Sequence, residues 1–500
     1  MDAGQPPFLT VLLLLPLAGA VLCLVLHARA HLCRLIALLA TSLTFLLSLG
    51  LLALPAAENG WILFEDYRWI EHFGIRYTLG LDGISMLLVL LTTFLLLLSV
   101  LISWLEIERH RPLYYALLLV MESGIIGVFL ALDLVLFYLF WEIMLIPMFF
   151  LIGVWGHERR IYAAVKFFLF TLAGSLLMLL AIIGVYLLHG EQTGDFTFAL
   201  SALRSTTVPG ELAPWLFAAF LLAFAVKVPL VPIHTWLPDA HTEAPTAGSV
   251  ILAGLLLKTG VYGLLRIGFP LFPEIARAAL PILGWMALLG IFYGAWIAYV
   301  QSDVKRLIAY SSVAHLGFVM LGLAVWDVTA VEGSILQMVN HGITTGALFA
   351  MIGMIYTRTH TRELHELGGL WAQAPKLSAF FLFFSLASLG LPGLNNFAGE
   401  ILILLGTFRV SPLWGSLGFA GVVLAAAYML RAVQGVLWGR PPDREPCSDL
   451  TVREWLILTP LALMVLWLGL YPAPFLEPLH EPVRLLLEQT DLVARSGGLP

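Results

Sequence analysis

Long apolar stretches alternate with short polar ones along almost the whole chain. Each apolar run is about 18 residues or more, which is the length a helix needs to cross a bilayer. The pattern predicts roughly fourteen spans, at 8–27, 32–54, 84–105, 114–131, 133–155, 162–188, 213–233, 246–268, 279–300, 306–326, 330–357, 376–407, 412–438 and 453–475. Two of them, 213–233 and 376–407, hold prolines and are expected as broken helices. The segment 55–83 is the longest connection, and "IRYTLGLDGIS" within it alternates weakly, as a short extended piece would. The tail after 476 is amphipathic. It reads equally as a helix lying on the membrane or on a neighbour and as a frayed terminus. The expected fold class is an all-α polytopic membrane protein.

The basic residues sort by alternate loops. Arg29, Arg34, Arg109, Arg111, Arg159, Arg160, Lys166, Lys305, Arg306, Arg358, Arg362, Lys376, Arg431, Arg440, Arg444 and Arg453 fall on one side. Arg68, Arg76, Arg204, Arg266, Arg277, Arg409, Arg484 and Arg495 fall on the other, together with both termini. The richer side is the cytoplasmic one by the positive-inside rule. A bacterial inner membrane with both termini on the periplasmic side is the expected setting.

Composition agrees with the pattern. Hydrophobic residues make up 60% of the 500 and charged residues 12%, against roughly 25% charged in soluble domains. The N-terminus has an acidic residue and no basic n-region, so its first apolar run is expected to be retained as a helix. The cysteines, Cys23, Cys33 and Cys447, have no cluster or zinc spacing. Neither a Walker A sequence nor a GxGxxG motif is visible. No cofactor is expected in this chain.

The candidate chemistry lies in charges placed where spans should have none, each costing about 2.5–3.5 kcal/mol on insertion scales. Glu142 sits in "LFYLFWEIMLIPMFF", nine residues after Asp133 and so about 14 Å along a helix. Glu122 lies in "LLLVMESGIIGV". Lys227 follows about fourteen apolar residues, and Lys258 lies a dozen residues into its helix. His315 and His341 sit near mid-helix with hydroxyl or amide neighbours. Glu400 follows Pro392, Gly393, Asn395 and Asn396. For a single buried His or Glu the plain reading is a satisfied core group. The series of Lys, His and Glu suits protons better than metal ions, because burial brings both Lys and Glu towards neutrality. A Na⁺ site would want several oxygens and no lysine nearby.

In "AFAVKVPLVPIHTWLPDAHTEAPTAG" the prolines at 229 and 232 remove backbone donors and free carbonyls in mid-membrane. Irregular backbone there is tolerated only inside protein or along a wet cavity. The second break, at Pro392, comes five helices later, and paired breaks point to an internal repeat with an ion path between its halves. His234, Asp239, His241 and Glu243 follow the first break. They are read as a structured loop at the membrane surface in preference to a metal site, with a possible part in admitting protons from the cytoplasm.

"FYLFWEIMLIPMFFLIG", "KVPLVPIHTWLPDAHTEAPTAGSVILAGLLLKTGVYGLLR", "SDVKRLIAYSSVAHLGFVMLG" and "LPGLNNFAGE" resemble the antiporter-like subunits of proton-pumping NADH:quinone oxidoreductase, respiratory complex I. The M-type subunit, chain 4 of mitochondria, is the nearest in kind, and the resemblance spans nearly the whole chain. It implies two inverted five-helix repeats at about 114–268 and 279–438, with broken seventh and twelfth helices. A three-helix segment, 1–113, precedes them, and a last helix and tail, 439–500, follow. It implies Glu142 and Lys227 as a pair, Lys258 as central relay, His315 and His341 continuing the polar axis, and Glu400 ending it towards the next subunit. An acid at 400 fits the M-type, since L- and N-type chains more often carry Lys there; the long lateral helix of the L-type is also not seen. NADH, FMN, iron–sulfur clusters and quinone are then expected in partner subunits, with L- and N-type chains as neighbours. The competing readings are a multi-subunit Na⁺/H⁺ antiporter, a membrane-bound hydrogenase or its ferredoxin-dependent photosynthetic relative, and a purely structural anchor, which the buried charges argue against.

Overall fold

The computed structural model describes residues 7–54, 60–439 and 447–496, the last six by their backbone alone; Arg440 and Arg444 of the basic set lie outside the described residues. Among the described residues, twelve helices are long and apolar enough to cross a membrane. They begin with Phe8–Val25 and end with Val452–Leu470. The remaining two predicted spans are the broken ones. The first is the helix Ala213–Lys227, an irregular stretch, and the short helix Trp236–Glu243. The second is Pro375–Ser388 followed by Asn395–Val410.

Burial separates the helices by position. The helices Thr246–Leu271, Val304–Ala324 and Val328–Thr359 are almost wholly enclosed by others, whereas Arg160–Thr193, Pro273–Val300 and Pro412–Leu437 keep most of their apolar surface outward. An apolar outer face is stable only against lipid or another apolar protein. The enclosed helices carry buried polar and charged side chains at mid-span, among them Lys258, His315 and His341.

The loops gather at two ends, as the alternation of basic residues requires. At the basic end, His157 N donates to Glu243 O, Arg362 Nη1 to Thr242 O, and Val304 N to Arg362 O. At the other end, Leu63–Ile70 and Ile75–Leu81 pair as an antiparallel hairpin. The extended piece expected from "IRYTLGL" is its second strand. Thr78 O accepts from Leu132 N, which ties the hairpin to the start of the helix Leu134–Trp155. The tail is no frayed end. Ala473–Ser496 is a helix that buries Leu479, Val483, Leu486 and Leu487 against neighbouring helices, and His480 Nδ1 lies 2.6 Å from Glu332 Oε1.

Candidate functional site

The site grows from the two breaks. In the first, the helix ends at Lys227, and the carbonyl of Val226 accepts a hydrogen bond from Trp236 Nε1 at 2.9 Å. A carbonyl freed by the break is thus occupied by an indole and not by the lysine. Lys227 is 1% exposed, and its Nζ has no hydrogen-bond partner. The ammonium lies instead over the rings of Trp141 and Phe167, 5.3 and 5.6 Å from their centroids. Two physical effects keep a cation there: the negative end of its helix and the electron-rich faces of aromatic rings.

Glu142 is positioned by a helix whose first turn is capped by Asp133, which accepts from Val135 N and Leu136 N. The Oε1 of Glu142 is buried without a partner. The pairing expected between Glu142 and Lys227 therefore takes a looser form: the two are within electrostatic reach, yet no ion pair joins them. Gly260 brings this region against the Lys258 helix. A Cβ at 260 would sit 2.6 Å from Phe224 O and 2.9 Å from Lys227 Cβ, so only glycine permits the approach.

Beyond Lys258 the groups are joined. The helix Thr246–Leu271 winds as a π-helix over Leu252–Leu256, so Leu257 N–H reaches back to Leu252 O and leaves the carbonyl of Ala253 to Lys258 Nζ. Lys258 Nζ also lies 2.7 Å from His341 Nδ1. Gly342 lets the two helices meet, since a Cβ there would lie 2.9 Å from Gly254 O. The rings of His341 and His315 face edge to plane with centroids 5.8 Å apart. His315 Nδ1 is 3.1 Å from Glu400 Oε1, and that oxygen also accepts from Gln337 Nε2 at 3.1 Å. Lys258, His341, His315 and Glu400 are each at most 4% exposed.

The second break is closed by amides. Asn340 Nδ2 donates to Asn395 O at 2.7 Å, Asn395 Nδ2 to Asn340 O at 3.1 Å, and Asn396 Nδ2 to Ser388 O at 3.4 Å. Polar residues inside apolar spans signalled Asn395 and Asn396. Gln337 and Asn340, in "LQMVNHG", carried the same signal and were missed. Tyr428, whose hydroxyl lies 3.2 Å from His315 Nε2, gave none, because a tyrosine in an apolar span reads as core.

Other expected residues fall elsewhere. Glu122 is fully buried with neither oxygen partnered and stands outside the row. His234, Asp239, His241 and Glu243 were expected as a loop. Most of them lie on the helix Trp236–Glu243, and their side chains go to different partners. Asp239 pairs with Lys166 at 2.7 Å, Glu243 Oε2 accepts from Arg159 N, His234 packs on Tyr293, and His241 stacks on Phe349. Among the described residues no group of three or more His, Cys, Asp or Glu is placed to hold a metal ion.

A family model described as "NADH:quinone oxidoreductase/Mrp antiporter, TM" matches residues 131–425, more than half of the chain. The chain is 46% identical to NADH-quinone oxidoreductase subunit M of Pseudomonas aeruginosa, over 93% of this chain and 94% of that protein. It is 42% identical to subunit M of Escherichia coli (strain K12), over 94% and 96% respectively. Its structure matches a chain of respiratory complex I from Thermus thermophilus with a TM-score of 0.87 at 34% identity, covering 96% of this chain and 99% of that one. A chain of the Mrp complex from Dietzia, at a TM-score of 0.86 and 20% identity over 98% of this chain and all of that one, shares the fold. The chain belongs to the NADH:quinone oxidoreductase/Mrp antiporter transmembrane family, among its subunit M members.

Proposed function

We propose that this chain is the proton-translocating subunit M of a membrane-bound NADH:quinone oxidoreductase, moving protons through buried side chains while redox chemistry runs in other subunits. The observation that carries the reading is the enclosed row Lys258–His341–His315–Glu400, in which each of the four groups changes charge by losing or gaining one proton at a hydrogen-bonded atom. Lys258 Nζ gives its proton to His341 Nδ1. Rotation of the facing rings carries it to His315, and His315 Nδ1 passes it to Glu400 Oε1. Gln337 and Tyr428 orient the acceptor and the second ring.

Glu142 and Lys227 are the switch at the other end. When they draw together their charges compensate each other; when they part, that compensation is lost and a proton is handed on. His241 is the proton's route in from the basic end. We assign 114–268 and 279–438 to two inverted repeats, after a three-helix segment 1–113 and before the last helix and tail, 439–500. L- and N-type chains are the neighbours, and NADH, FMN, iron–sulfur clusters and quinone belong to partner subunits. The membrane is a bacterial inner membrane, and the excess of Lys and Arg in one set of loops puts both termini on the periplasmic side.

The test is Lys258→Ala in the assembled complex, reconstituted in vesicles. Proton flux and NADH:quinone turnover both fall by about tenfold or more, the scale of a lost proton-transfer group. Undiminished electron transfer with no proton flux would contradict coupling through this chain, and wild-type flux would contradict the reading itself.

A further inference from the structure

At the basic end, the helices Gly83–Glu106, Val328–Thr359 and Val452–Leu470 part around a cavity of about 300 Å³. Its charges are not alike. Arg358 and Glu454 are locked together by two hydrogen bonds of 2.8 and 2.7 Å, and Arg358 also donates to the carbonyls of Met354, Ser448 and Asp449. Arg453 donates to Leu101 O and Ile102 O. Glu106 is different. It lines the same cavity, stays exposed to it, and among the described residues is held by Thr246 alone, whose N–H and hydroxyl donate to Oε1 at 3.0 and 3.1 Å, with no hydrogen bond to the second oxygen.

Glu106 meets the turn that begins the Lys258 helix, and Lys305 meets the same turn from the other side. Lys305 Nζ, on a residue 4% exposed, donates to Ala244 O at 2.6 Å, two residues before Thr246. Glu106 and Lys305 are within electrostatic reach of each other. The next ionisable group inward is His241. Its ring is fully buried on the face of Phe349 with both nitrogens unpartnered, within reach of Lys305 on one side and of Lys258 and His341 on the other.

We infer that this cavity is where protons are taken up from the basic side, and that Glu106 is the group that collects them and passes them by way of Lys305 and His241 to Lys258. The inference rests on the proposed function and adds to it the mouth and the first acceptor. A carboxylate is suited to the place. It binds a proton from solution at its free oxygen and releases it to the lysine when Lys305 has lost its own, so one proton moves and net charge is conserved at each step.

The experiment uses the assembled complex in vesicles. In Glu106→Gln the amide oxygen still accepts from Thr246, so assembly is kept while the proton site is lost. Flux then falls by about tenfold or more. It also drops with rising pH on the basic side more steeply than wild type, because uptake now depends on direct capture by groups deeper in. Glu106→Asp restores most of the flux. As a second arm, Thr357→Cys, made in a background lacking Cys447, places a thiol in the cavity wall. A charged, membrane-impermeant methanethiosulfonate added on the basic side blocks flux in step with labelling. Wild-type flux and pH profile in Glu106→Gln, or complete labelling of Thr357→Cys without loss of flux, would overturn the inference. If Lys258→Ala abolishes flux while Glu106→Gln does not, only the uptake route fails; if neither variant matters, the proposed function fails with it.

Discussion

The two broken helices meet the same problem, carbonyls released inside a membrane, and solve it in opposite ways. At the second break the freed groups bind one another: Asn340 and Asn395 exchange two hydrogen bonds, and Asn396 reaches back to Ser388. The acid that follows, Glu400, is held by His315 and Gln337. At the first break the indole of Trp236 takes the Val226 carbonyl, and Lys227 and the Oε1 of Glu142 are left without partners. A buried polar atom without a partner costs about 1–3 kcal/mol, and more when charged. Such a cost is tolerated in a native protein where a group must change state. Asn340 Oδ1 and Asn396 Oδ1 at the second break are also buried without partners, so the contrast lies in the ionisable groups: those of the first break are unpartnered, and the acid of the second is held. Lys258, bonded to His341 and packed near Lys227 through Gly260, joins them.

The strongest way to break this contrast is to remove the unpaired lysine. Lys227→Ala leaves Glu142 buried with no counter-charge, so the pair can no longer act as a switch. Proton flux, normalised to assembled complex, falls by about tenfold or more, and assembly is largely kept because no hydrogen bond is lost. Glu142→Gln gives the same loss together with slower NADH:quinone turnover. Lys227→Arg rescues only in part, since a guanidinium keeps its proton at every working pH. Full rescue by arginine would make Lys227 a fixed charge and no carrier.

Much of this was legible in the sequence, for reasons that particular residues make plain. A charge in an apolar run is costly where lipid is the solvent, so Glu142, Lys227, Lys258 and Glu400 stood out as candidates. The breaks were legible because proline cannot donate. What the sequence could not supply was partnership. Lys227 and Glu142 look like a pair in one dimension, and the aromatic faces of Trp141 and Phe167 that hold the ammonium look like ordinary core. The π-turn at Leu252–Leu256 leaves no trace in composition, although it frees the carbonyl that Lys258 binds. Glu106 was hidden by its position at the end of a span, where a carboxylate reads as solvated. The tail's choice between frayed and packed depended on surfaces far away in the chain.

A smaller effect is expected at the second break. Glu400→Gln keeps an oxygen for Gln337 or for His315 but cannot take up a proton. Flux falls severalfold, and the thermal stability of the isolated complex changes little. Glu400→Ala removes the acceptor from both donors and costs about 1–3 kcal/mol besides, read as a lower unfolding temperature of the membrane arm. If Gln and Ala behaved alike in both measurements, Glu400 would be structural and the row would end at His315.

The mildest change tests why the first break stays open. Trp236→Phe keeps an aromatic ring against Phe167 but deletes the N–H that occupies the Val226 carbonyl. One hydrogen bond worth about 1 kcal/mol is lost, and a bare acceptor now stands one residue from Lys227. The ammonium gains a competing site at the end of its own helix, where the helix dipole already favours it. The lysine is then drawn from the aromatic faces towards the carbonyl, and the first break comes to resemble the second, with its charge satisfied and still. Flux falls by a few-fold at unchanged assembly, and raising the pH on the basic side, which favours deprotonation of the trapped lysine, recovers part of it. Wild-type flux in Trp236→Phe would mean that the occupied carbonyl has no part in keeping Lys227 free, and that the aromatic faces alone account for the difference between the two breaks.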